Sequence, residues 1–91
     1  MELINLTNDN FHLTKKNIWY VVFWVPWGKP SFDQIDIFKK LKSKFKCGLV
    51  NVEENRELAD NNKIEIYPTT LYFIEGLEKY RFIGIFDGEN D

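Results

Sequence analysis

Trp19-Tyr20-Val21-Val22-Phe23-Trp24-Val25-Pro26-Trp27-Gly28-Lys29-Pro30-Ser31 is the stretch whose reading decides the fold. Residues 18–25 are apolar on both faces of an alternating backbone, the pattern of a central strand covered above and below rather than of a half-exposed edge. Pro26 and Gly28 break the strand, and Pro30 suits the first turn of a helix because its missing N–H would have had no partner there. Phe32, Ile35, Phe38, Leu41 and Phe45 then recur at three- and four-residue steps as one apolar stripe. Asp33 and Asp36 are expected in that helix's first turn and Lys42, Lys44 and Lys46 in its last, agreeing with the helix dipole. A strand buried on two sides and running into an amphipathic helix implies a layered α/β domain.

Upstream, residues 2–6 alternate apolar with polar as a short strand should. Thr7 or Asn8 is placed to cap a short helix that turns Phe11 inward and ends at Lys15 and Lys16. Downstream, Gly48 stops the main helix, and Leu49-Val50-Asn51-Val52 forms a strand parallel to the central one by the right-handed crossover rule. Glu53-Glu54-Asn55 opens a third short helix with Leu58 and Ala59 inward and Asn61-Asn62 at its end. After Pro68, Thr69 to Ile74 reads as a strand, Glu75-Gly76 as a turn, and Lys79 to Ile83 as the antiparallel partner. The order is β-α-β-α-β-α-β-β, without repeats or linkers, in one domain over residues 1–91.

A chain of 91 residues buries about 60–65% of its unfolded surface, enough for one core. With three Trp, four Tyr and eight Phe, aromatic rings must supply much of that core, at roughly 1.5–3 kcal/mol for each one fully buried. The net charge of −2 argues against a domain built as a whole for polyanions. One cysteine, Cys47, cannot close an intramolecular disulfide and fits a reducing, cytoplasmic setting. No basic-then-apolar leader opens the sequence, and the apolar run Ile18 to Pro26 is far short of the ~20 residues of a membrane helix.

Several features taken together resemble the thioredoxin family from about Trp19 to Gly84. They are Phe23-Trp24 with Trp27 ahead of the helix, Pro30 inside the turn, Asn51-Val52-Glu53 closing one strand, and Tyr67-Pro68-Thr69 opening another. The resemblance implies a three-layer thioredoxin-like fold around a central mixed sheet. It also implies a cis peptide bond before Pro68, with Tyr67 offering backbone groups to an extended peptide by strand addition. Where the family carries Cys-Gly-Pro-Cys, this chain reads Gly28-Lys29-Pro30-Ser31. Thiol–disulfide exchange needs an attacking thiolate, which neither Gly28 nor Ser31 supplies. The buried acid usual before the Phe-Trp pair is Val22, and the lysine usual on the third strand falls at Leu49. The family's last helix is missing from the sequence pattern, so the sheet face near Phe82, Ile85 and Phe86 is expected to be uncovered; a homodimer, a partner protein or a chain boundary would each account for it.

These residues predict a redox-inactive module that binds a protein or an extended peptide through Trp27, Gly28, Lys29, Pro30, Ser31, Tyr67 and Pro68, with no cofactor and no metal. The alternative is a divergent thiol–disulfide oxidoreductase relative working through Cys47, although a lone cysteine is more often a small core residue. A nucleic-acid accessory role through Lys39, Lys40, Lys42, Lys44 and Lys46 ranks third. Those lysines spread around a helix without interleaved aromatics and read as a solvated face. His12 lacks any cysteine or carboxylate pattern for a metal and reads as a solvated helix residue. The main helix's N-terminus is a poor phosphate site because Asp33 and Asp36 oppose an anion.

Overall fold

The computed structural model describes residues 3–41 and 45–86. In chain order they form strand β1 (Leu3–Asn5), a 3-10 turn (Phe11–Lys15), β2 (Ile18–Trp24), helix α1 (Lys29–Lys40), β3 (Lys46–Asn51), helix α2 (Arg56–Asn61), β4 (Thr69–Ile74) and β5 (Leu77–Ile83). The five strands lie in one mixed sheet ordered β1-β3-β2-β4-β5. β3 runs parallel to both β1 and β2, while β4 pairs antiparallel with β2 and with β5.

β2 is central, and its aromatic and β-branched residues suit a pleated surface packed on both sides. Trp19, Val21 and Phe23 enter one core with Val50, Val52, Leu58, Ala59 and Leu71. Tyr20 and Val22 enter the other with Phe38 of α1, Cys47 and Phe86. Alternation along one strand thus feeds two layers. Tyr20 sits among four rings, Phe38, Phe45, Tyr72 and Phe86, with centroids 4.5–5.6 Å away.

Several sequence expectations shift at element ends. α1 stops at Lys40, where Leu41 turns extended and its N–H reaches the Phe38 carbonyl. Leaving the helix there lets Leu41 and Phe45 both pack on the second core, which a continuing helix would carry past. Lys46 is accordingly a strand residue, while Lys42 and Lys44 lie outside the described residues. Because α1 begins at Lys29, Asp33 and Asp36 fall beyond its first turn. Of the predicted stripe, Ile35 and Phe38 are buried, but Phe32 is 46% exposed, resting its ring 5.8 Å from that of Trp24. The first helix is only a 3-10 turn. Thr7 Oγ1 accepts from the Asp9 N–H and Asn10 Oδ1 from the Thr7 N–H, so local side chains satisfy the backbone that a longer helix would have used.

The sheet face near the C-terminal strand also departs from expectation. Phe86 is 8% exposed, and Phe82 stacks on it with centroids 3.8 Å apart, leaving only Ile85 of the three exposed. The reason is Gln34. Wholly buried on α1, it donates through Nε2 to the Phe86 carbonyl at 2.5 Å and accepts the Phe86 N–H on Oε1 at 2.6 Å. The large apolar side chains that remain exposed on β5 are Leu77, Tyr80 and Ile83, each 62% exposed.

Gly48 is required by a close approach. β3 is flanked by β1 and β2, and a Cβ there would collide with Leu6 Cδ1, lie 2.9 Å from Leu6 Cγ, and press on Trp19. Both neighbours are fully buried and have little room to yield. Gly48→Ala is therefore expected to destabilise the domain by about 1–3 kcal/mol, the usual range for overpacking. A urea midpoint unchanged from the wild type would refute this.

Candidate functional site

The end of β2 and the start of β4 come together because the strands are antiparallel neighbours with Phe23 paired to Thr69. Trp27 to Ser31, which continue from β2, and Tyr67-Pro68, which precede β4, therefore lie at the same end of the sheet. The Tyr67–Pro68 bond is cis. Pro68 is buried and its carbonyl accepts the Gly84 N–H at 2.9 Å. Among the described residues, the Tyr67 backbone N–H and C=O have no hydrogen-bond partner.

Each of the four turn positions has a definite environment. Gly28 is the N-cap of α1 with extended backbone and no side chain to offer, and Pro30 occupies the first turn. Lys29 folds onto Asp33, its Nζ reaching both carboxylate oxygens at 2.9 and 2.8 Å. That ion pair is 83% and 44% exposed, so it contributes little to stability; its effect is to offset much of the Lys29 charge at the turn. Ser31 is 1% exposed, and its Oγ accepts the Val25 N–H at 3.1 Å. The hydroxyl thus ties the end of β2 to the start of α1. None of these four positions carries a thiol. Trp27, by contrast, is 63% exposed, an unusual position for a large aromatic surface, at the same end of the sheet as the unpaired Tyr67 backbone.

Cys47 lies elsewhere, in β3 beneath Tyr20 and Phe38, at 0% exposure. Burial pushes its thiol up to about 12. A thiol so far above neutral pH holds almost no thiolate and does not attack a disulfide. The native protein should therefore react with a thiol-specific aromatic disulfide reagent at least about 100-fold more slowly than the same chain in denaturant, since the route to reaction is transient opening. Labelling at the denatured rate would refute the burial.

His12 is exposed, and among the described residues no three His, Cys, Asp or Glu side chains cluster as metal ligands. No helix among the described residues is long and apolar enough to cross a membrane. Lys39 and Lys40 sit in the last turn of α1 as solvated residues. Sequence reading missed the Gln34–Phe86 pairing, although a polar residue three places after Ser31 and four before Phe38 was the available signal. It also missed a cleft at the opposite end of the sheet, which is assembled from segments far apart in sequence.

The arrangement has close parallels among known proteins, although no family model matches the chain. A thioredoxin of Buchnera aphidicola is 30% identical over 79 residues, covering 79% of this chain and 73% of that protein. Protein disulfide-isomerase 1 of Caenorhabditis elegans is 34% identical over 80 residues, 78% of this chain. The chain spans between 11% and 22% of the length of that protein and three further curated relatives. Among solved structures, the thioredoxin of Malassezia sympodialis superposes with a TM-score of 0.84 over 97% of this chain and 84% of its own, at 19% identity.

Proposed function

The chain belongs to the thioredoxin family, and from that premise we propose that it is a redox-inactive member. In this reading it holds a protein or extended polypeptide between the Trp27–Ser31 turn and Tyr67–Pro68. The observation that carries the reading is the state of the two positions where a thiol pair would sit. Gly28 has no side chain, and the Ser31 hydroxyl is buried with its oxygen already accepting a backbone N–H. Relatives bearing the name disulfide-isomerase imply thiolate chemistry, whereas this chain's one thiol is sealed in the core.

What remains at the site suits recognition. Trp27 supplies exposed aromatic area, and Tyr67 supplies an unpaired N–H and C=O that an extended chain can meet in the manner of an added strand. A reducing, cytoplasmic setting belongs to the same reading and rests on the lone cysteine.

Two measurements test it. In an insulin-reduction assay driven by a dithiol donor, the wild type is expected to run at the background rate; turnover that Cys47→Ser abolishes would overturn the reading. In a fluorescence titration with a reduced and alkylated unfolded polypeptide, Trp27→Ala is expected to weaken binding by about tenfold, a loss of about 1.4 kcal/mol for one aromatic anchor. Since Trp27 is largely exposed, the variant should keep its thermal midpoint, and equal affinity in the two proteins would remove the groove from consideration.

A further inference from the structure

We propose that the cleft at the opposite end of the sheet, where β2 begins, binds a small monocarboxylate with an apolar body. The cleft is open, has a volume of about 620 Å³, and falls within the roughly 300–1,000 Å³ typical of small-molecule sites. β2 has seven residues between this end and Trp24, so at ~3.3 Å per residue it lies about 20 Å from the Trp27 turn.

Its lining divides into two chemical kinds. Ile4, Leu13 and Trp19 form apolar wall, while Lys15, Lys16 and Lys46 supply cationic groups, and no carboxylate is among the described lining residues. In a chain of net charge −2, this is a local reversal of sign, and it selects for an anion. Leu13, at 43% exposed, and Ile4 give the same site an apolar surface that an all-polar anion would leave in water. An ammonium pairs well with a single carboxylate, and an alkyl or aryl body covers the wall.

The cleft is held in shape by three contacts. Trp19 Nε1 donates to the Lys16 carbonyl at 3.0 Å, which fixes the indole edge. Lys46 Nζ sits 6.0 Å from the Trp19 ring centroid, at the range of a cation–π contact, so its charge stays near the wall. The β4–β5 turn packs against Lys15 so closely that a Cβ on Gly76 would lie 3.2 Å from the Lys15 Cα. The nearest acid in this turn, Glu75, is engaged at the rim, where Oε2 accepts the Asn17 N–H at 3.1 Å.

The test is an amide and indole NMR titration of the full chain with octanoate, with 1-octanol as its neutral counterpart, and with inorganic phosphate as an anion lacking an apolar body. Octanoate should shift Ile4, Leu13, Lys16, Lys46 and the Trp19 indole N–H saturably, and bind at least about tenfold tighter than either control. The double variant Lys16→Glu/Lys46→Glu should lose at least about tenfold in octanoate affinity. Both lysines are exposed, so its spectrum away from the cleft should be unchanged. Leu13→Ser, which leaves the charges intact, should weaken octanoate but not phosphate. Equal affinity for octanoate and octanol, equal affinity for octanoate and phosphate, shifts centred on Trp27, or no saturable shift would each overturn the proposal.

Discussion

The double variant Gly28→Cys/Ser31→Cys is expected to reduce insulin well above the background rate proposed for the wild type. Gly28 has φ −118° and ψ 124°, a conformation any residue adopts. A Cβ placed there meets only Val25 at 3.6 Å and Pro30 at 4.0 Å, ordinary van der Waals contacts. The Ser31 N–H donates to the Gly28 carbonyl at 3.1 Å. Such a four-residue turn holds its ends within about 7 Å, compatible with the Cα separation of a disulfide. The thiol at position 28 would also stand at the N-terminus of α1, where the helix dipole favours the thiolate.

The gain should be incomplete. Val22 and Leu49 occupy the places of the acid and lysine that the family resemblance leads one to expect, and positioned acid–base groups are usually worth roughly 10²–10⁴ in rate. Activity should rise further when Val22→Asp is added, at a cost in stability, because Val22 is fully buried. Loss of the Ser31 hydroxyl deprives the Val25 N–H of its acceptor and should lower stability by about 1 kcal/mol. A double variant that forms its disulfide yet turns over no insulin would show that the turn itself, and not merely the missing thiols, has departed from redox geometry.

The contrast between what the sequence discloses and what it hides follows from range. The central strand was legible because a short apolar run rich in β-branched and aromatic residues is broken by Pro26 and Gly28, and β4 was legible to the residue because Pro68 and Glu75-Gly76 punctuate both ends. The end of α1 was not, since Leu41 and Phe45 fit a helical stripe as well as they fit an extended segment folding onto Tyr20. That the turn at Trp27–Ser31 carries no thiol follows from residue type alone. Whether Lys29 points to solvent or to Asp33, and whether Ser31 is open or buried, depends on geometry that composition does not carry. The cationic cleft draws on residues 4, 12–19 and 46 and has no signature in any one window.

The largest stability effect is expected from separating Gln34 and Phe86, which lie 52 residues apart in sequence. The Gln34 amide satisfies both backbone groups of Phe86 inside the second core, a service that no apolar residue performs. In Gln34→Leu the apolar volume is nearly kept, but residue 86 has two choices. Staying in place leaves an N–H and a C=O buried without partners, at about 1–3 kcal/mol each. Leaving uncovers the Phe86 ring and the faces of Tyr20, Phe38 and Phe82 that it touches, at about 1.5–3 kcal/mol for the ring alone. The protein takes the cheaper course, so the loss should be about 2–4 kcal/mol by urea denaturation, with new binding of a hydrophobic dye to the bared aromatic face. Phe86→Ala should lose a similar amount, and the double variant should lose much less than the sum, with a coupling of at least about 1 kcal/mol. Strict additivity, or a loss below about 0.5 kcal/mol in Gln34→Leu, would mean that the two residues are independent and that the cover over this half of the sheet comes from elsewhere.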